Sequence, residues 1–127
     1  MKFIRNVAPA DWSILLLRVC IGMMMIFPHG WAKMINFSTM AKVFPSILGS
    51  SMLTLIVAIF CEVVCQIMII LGIKVRWFSI PPMIMMAVAA VLVHAGDSWH
   101  TREKAILYAV CYAALAISKG GKLAVRD

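Results

Sequence analysis

The chain has 127 residues, enough for one domain; 64% of them are hydrophobic and only 13% charged, and the mean hydropathy is +0.99. Soluble domains carry about 45–50% apolar and about 25% charged residues, so this composition excludes an ordinary water-soluble fold and indicates an integral membrane protein. The net charge of +7 does not indicate nucleic acid, because the Lys and Arg residues gather between apolar runs and no basic stripe alternates with stacking aromatics.

Apolar runs long enough to cross about 30 Å of hydrocarbon, about 20 residues as helix, are predicted in four places. The first, 12–31, is bracketed by Trp12 and Trp31 as interface anchors are. It contains Arg18 and no small-residue cleavage site follows it, so it reads as a mature helix and not a signal peptide. Residues 33–50, with Lys42 and Pro45, read as an interfacial loop with one amphipathic turn. The second helix is predicted over 51–72 and the third over 77–95, with Pro81 and Pro82 in its first turns, where missing N–H groups matter least. Asp97, His100 and Arg102 then occupy a short loop. The fourth helix, 103–118, is short, and Ala105, Ala109, Ala113 and Ala116 give it a small-residue packing face.

The expected fold is therefore all-α: a single domain over 1–127, built as an integral membrane four-helix bundle. With the N-terminus inside, Lys2, Arg5, Lys74, Arg76, Lys119, Lys122 and Arg126 lie on the inner side, against Lys33, Lys42, Arg102 and Lys104 outside. The positive-inside rule then puts both termini in the cytoplasm.

Two charges fall within predicted spans, Arg18 and Glu62. Each costs about 2.5–3.5 kcal/mol on insertion scales unless paired or reached by water. Arg18 lies about 9 Å, and Glu62 about 15 Å, above the inner ends of their helices at 1.5 Å per residue. A long arginine side chain closes that difference, so an Arg18–Glu62 pair between the first two helices is expected. Steps of four and three place Arg18, Gly22, Met25 and His29 on one face, with Lys33 continuing it. His29, His94, His100, Asp97 and Glu103 all fall at outer helix ends with Glu62 beneath them, which outlines an outward-facing polar pocket. Hydrated interface polarity is the other reading of His29 and His94, and the favoured one for His100. Cys20, Cys61, Cys65 and Cys111 each sit within an apolar run without a CxxC pair and read as small buried side chains. The eleven methionines, Trp77, Phe78, Tyr108 and Tyr112 read as packing and anchors. No phosphate loop, nucleophile triad or metal-binding spacing is present.

These residues also form a known pattern. "LLLRVCIGMMMIFPHGWAKM" resembles the first helix of the DoxX family, with its arginine, a glycine four residues later and an HGxxK ending. "CEVVCQIMIILGIKVRW" is similar to the second, with a glutamate and then LG before a basic turn; "AVAAVLVHAG" is similar to the third, and "EKAILYAVCYAALAISKGGKLAVRD" to the fourth and the tail. Cys65 and Gln66 stand where the family often has paired glycines, and the tail matches loosely. The resemblance implies a multi-pass protein of the bacterial inner (cytoplasmic) membrane. Related proteins include the membrane subunit of a thiosulfate:quinone oxidoreductase and proteins linked to oxidative-stress defence. The matched positions are Arg18, Gly22, His29, Gly30, Lys33, Glu62, Gly72, His94 and Glu103.

The function so implied is a membrane subunit of a quinone-linked redox or oxidative-stress system. Glu62 and His29 are its catalytic candidates, and Arg18, Lys33, His94 and Glu103 its ligand-binding candidates. Quinone is the expected cofactor; haem between His29 and His94 is a disfavoured variant, and no metal is expected. The partners expected are the lipid bilayer, a redox protein and further copies of the chain in a homo-oligomer, with no nucleic acid. Two other readings stay open: a small proton-coupled transporter using Glu62, and a non-enzymatic scaffold for a soluble redox partner.

Overall fold

The computed structural model describes residues 7–125, and the elements along them are all helical. Helix α1 is Pro9–Ile35, α2 is Phe37–Val43, α3 is Ser51–Leu71, α4 is Val75–Val93 and α5 is Trp99–Ser118. Lys2, Arg5 and Arg126, used above for orientation, lie outside the described residues. Helices α1, α3 and α4 are long and apolar enough to cross a membrane. Their outer flanks expose large apolar side chains such as Leu16, Ile84 and Val91, as lipid-facing surfaces do. The chain is thus an all-α, multi-spanning membrane helical bundle. Helix α5 has 20 residues, but Arg102, Glu103 and Lys104 occupy its first turns and leave the apolar stretch from Ala105 shorter than a span.

The first helix departs most from expectation. It starts at Pro9, where proline's missing N–H is one of the donors a first turn leaves free, and Asp11 Oδ2 accepts the Ala8 N–H at 2.9 Å. Nor does it end at Trp31. Around Pro28 the backbone passes into a π-helical segment, Ile26–Trp31, and returns to α-helix over Ala32–Ile35. Proline removes one ladder hydrogen bond, and the wider turn absorbs the defect without breaking the helix. The expected loop over 33–50 is corrected accordingly: it begins as helix, and Asn36, outside helical geometry, separates α1 from α2.

The remaining differences are smaller. Helix α4 starts at Val75, so Pro81 and Pro82 lie inside it beyond the first turn, and it ends in a π-helical segment, Ala89–Val93. Because α5 starts at Trp99, His100 and Arg102 are helical instead of lying in a loop. Arg102 Nε donates to the Ala90 carbonyl at 3.1 Å. Helix α3 opens on Ser50, whose Oγ accepts the Leu53 N–H at 3.3 Å. It closes on Gly72, in the left-handed region at φ +82°. There the N–H groups of Ile73 and Gly72 bond the Met68 and Ile69 carbonyls at 2.9 and 3.1 Å, a Schellman closure that favours glycine.

In lipid there is little hydrophobic drive between helices, so close packing and interhelical hydrogen bonds decide the arrangement. Near the end where the Asp11 carboxylate accepts the Lys122 N–H at 3.0 Å, the bundle is tight. Ile21, Met25, Ile69, Val75, Tyr108, Tyr112 and Leu115 form its core there. At the opposite end, the first turns of α3 lean on α2 and the end of α1, which leaves a gap between α3 and the α4–α5 pair.

Arg18 anchors the tight end, and the expected Arg18–Glu62 pair is not formed. Arg18 is 1% exposed. Its Nε donates to the Ile69 carbonyl at 3.0 Å, Nη2 to Ile70 at 3.0 Å and Nη1 to Gly120 at 3.3 Å. The last carbonyls of a helix lack intrahelical donors and carry the negative end of its dipole, so they supply acceptor and field together.

Midway along, α1 and α3 meet at Gly30. A Cβ there would lie 2.6 Å from Val63 Cγ2 and 2.9 Å from the Glu62 carbonyl oxygen. Gly30→Ala is expected to separate the two helices and destabilise the fold by about 1–3 kcal/mol, read as a lower midpoint of thermal unfolding in mild detergent. Gly96→Ala, at a position with nothing within 4 Å, is expected to leave that midpoint in place.

Candidate functional site

The gap at the loose end is a cavity of about 630 Å³. Its floor is Cys61 and Glu62, and His29 and Lys33 reach it from α1. Thr101, Lys104 and Tyr108 line it from α5, and Ile84 and Val88 from α4. Met40 of α2 and then Phe44, Pro45 and Leu48 roof it. Apolar side chains make most of the wall.

π-Helical geometry shapes this site. Three segments carry it, Ile26–Trp31, Phe60–Val64 and Ala89–Val93, and each lends residues to the cavity: His29, then Cys61 and Glu62, then Ala89 and Val93. The first two pack against each other. A π turn inserts a residue into the helical register, which re-aims the side chains around it and disturbs the backbone ladder. In α3 the Cys61 carbonyl accepts the Gln66 side-chain Nε2 at 2.8 Å, and Gln66 Oε1 accepts the Tyr112 hydroxyl at 2.8 Å. The pattern departure at Gln66 therefore joins the floor of the site to α5.

Glu62 is 3% exposed, and its Oε1 accepts Lys33 Nζ at 2.8 Å. Lys33 lies on the helix that continues past Pro28, which turns it inward to Glu62. His29 stands edge-on to Tyr108, with ring centroids 6.1 Å apart, and Tyr108 stacks on Tyr112 at 6.4 Å. Neither the His29 ring nitrogens nor the Tyr108 hydroxyl has a hydrogen-bond partner among the described residues. His94 Nδ1 lies 2.7 Å from Asp97 Oδ2.

The cavity thus groups four of the expected site residues: His29, Lys33, Glu62 and His94. Arg18 lies at the other end of the bundle, on carbonyls, and Glu103 and His100 are exposed and outside the cavity. Sequence reasoning missed Lys104 and Thr101; Tyr108, read as packing, is in the core as expected and lines the cavity as well. Their signal was spacing: Thr101, Lys104 and Tyr108 follow steps of three and four. Placing the helix start at 103 cut that face short.

Compared with known proteins, residues 13–95 match the DoxX family. Neither a curated protein nor a solved structure matches the chain. The matched stretch covers α3, α4 and nearly all of α1, and with them His29, Lys33, Glu62 and His94, while α5 lies beyond it. Since it spans more than half of the sequence and includes the floor and one wall of the cavity, the chain belongs to the DoxX family.

Proposed function

We propose that the protein is a membrane subunit of a quinone-linked redox or oxidative-stress system in a bacterial inner membrane, and that its cavity takes up the quinone head. One observation carries this reading: His29 and Tyr108 present unpartnered polar groups to a cavity whose wall is mostly apolar and which the Lys33–Glu62 pair also lines. The volume falls within the about 300–1,000 Å³ typical of small-molecule sites, and the donors fit a ligand with carbonyl oxygens on a flat apolar ring. His29 and Tyr108 would hold those oxygens by hydrogen bonds. When bound, a quinone supplies an acceptor for two electrons and two protons. The Lys33–Glu62 pair keeps a proton between Nζ and Oε1 within the cavity, and the apolar roof over it limits the access of water.

Helix α5 completes four crossings on this reading. Its 20 residues measure about 30 Å, and its charged first turns sit at the loose end. Both termini then lie on the cytoplasmic side, with Lys74, Arg76, Lys119 and Lys122. The opposite side carries Lys42, Arg102 and Lys104. Proton-coupled transport through Glu62 has less support, since a transported cation would have to displace a lysine held at 2.8 Å.

His29→Ala and Tyr108→Phe are each expected to weaken binding of a short-chain ubiquinone analogue by about tenfold, the worth of one hydrogen bond to a buried acceptor. The purified protein in mild detergent serves for the titration. Unchanged affinity in both variants overturns the assignment.

A further inference from the structure

The cavity also carries a charge that the quinone reading does not use. Lys33 is neutralised by Glu62 at 2.8 Å, and His94 is held by Asp97 at 2.7 Å. Lys104, across the cavity on α5, has neither a carboxylate nor a hydrogen-bond acceptor among the described residues. Neighbouring Glu103 points elsewhere, since adjacent helical residues do not share a face. Lys33 and Lys104 are the charges that face the His29 ring. The ionised lining therefore has two cations against one carboxylate.

The Thr101 hydroxyl stands one turn before Lys104 and the Tyr108 hydroxyl one turn after it. All three line the cavity, and neither hydroxyl is hydrogen-bonded within the described residues. One face of α5 is thus a row of donors with an ammonium at its middle. Across the cavity from this row the α3 wall is hydrocarbon at Val57 and Ala58, and Ile84 and Val88 extend the apolar lining along α4 beside it. Val57 and Ile84 are also exposed large apolar side chains on helices long and apolar enough to cross a membrane. A cationic, donor-rich row facing an apolar wall is complementary to an amphiphile with an anionic head.

We propose that the cavity binds a long-chain acid from the bilayer, its carboxylate on Lys104 and Thr101 and its chain along the α3–α4 wall. Lys104 is exposed at the cavity's edge, and a neutral head forms no charge-assisted hydrogen bond with its ammonium, a bond about twice as strong as a neutral one. The inference uses the same cavity as the quinone reading but does not depend on quinone binding.

The test is displacement of cis-parinarate from the purified protein in mild detergent, read as loss of energy transfer from the tryptophans, with oleate and oleyl alcohol as competitors. Oleate is expected to bind the native protein about tenfold more tightly than oleyl alcohol, from one charge-assisted contact. Lys104→Gln should remove that preference by weakening oleate alone, Lys104→Arg should keep it, and Lys42→Gln, outside the cavity, should leave it unchanged. The proposal is overturned by equal affinity of the two competitors for the native protein. Lys104→Gln weakening both alike or neither, or Lys42→Gln having the effect of Lys104→Gln, overturns it too. Ubiquinone-analogue binding in the same variants separates the two readings: retained quinone binding without oleate preference removes this inference alone, and the converse removes the quinone assignment alone.

Discussion

Glu62→Ala is expected to destabilise the bundle by about 3–5 kcal/mol, the range for breaking a buried ion pair from one side. Glu62 is 3% exposed, and its Oε1 holds Lys33 Nζ at 2.8 Å. Once the carboxylate is gone, Lys33 keeps its charge in an apolar cavity whose other fixed cation is Lys104. Lys33→Met is the mirror case, and its effect is expected at the lower end of that range, because the lysine side chain is 17% exposed and water already reaches it in part. The double variant Lys33→Met/Glu62→Leu should recover most of the loss, since replacing both members of a buried pair by apolar residues is often neutral or better. Thermal unfolding in mild detergent, followed by circular dichroism, gives all three values. A double variant as unstable as the two single losses added together would show that the ion pair is not what couples these positions.

Arg18→Met is expected to be at least as damaging, for a different reason. Here no partner charge is left behind, but carbonyls are. The Ile69 oxygen keeps the Gly72 N–H as a second donor, whereas the Ile70 and Gly120 oxygens lose the arginine that bonds them. Each buried acceptor left unsatisfied costs about 1–3 kcal/mol. The Gly120 bond also ties the segment after α5 to α1, so its loss should speed tryptic cleavage after Lys119 and Lys122. Arg18→Lys should rescue little, because a single ammonium cannot serve carbonyls spread around a planar guanidinium fork. A stability change under about 1 kcal/mol in Arg18→Met, with tryptic cleavage unaltered, would contradict this account. Arg18, attractive as a ligand-binding residue on sequence, acts in the structure as a clamp on helix ends.

Much of the architecture was legible because it depends on local properties. Composition identified the solvent, and apolar run length located α1, α3 and α4 to within a few residues. Gly72 and Ser50 mark helix ends through backbone preferences that need no tertiary context. The helical stripe from Arg18 to Lys33 proved a buried face for Arg18, Gly22 and Met25, because helical periodicity is set by the backbone. The site was legible in part: His29, Glu62 and His94 stood out as polar groups near or within apolar runs, and the cavity does bring them to one end of the bundle.

Partners and register were not legible. Arg18 and Glu62 were the two charges within predicted spans, and pairing them was the economical reading. It failed because an arginine can be satisfied by backbone carbonyls, which every sequence possesses, and because Lys33, assigned to a loop, lies on a helix that continues past Pro28. Whether proline ends a helix or is absorbed in a π turn depends on what packs around it, here the π segment of α3 against Gly30. The sequence by itself determined a membrane bundle of apolar helices with a polar end. Only the tertiary structure decided that Lys33 answers Glu62, that Arg18 clamps helix ends, and that Lys104 and Tyr108 face the cavity. Those outcomes depend on which helix faces meet and at what depth, and π turns shift both by a residue that no periodicity reveals.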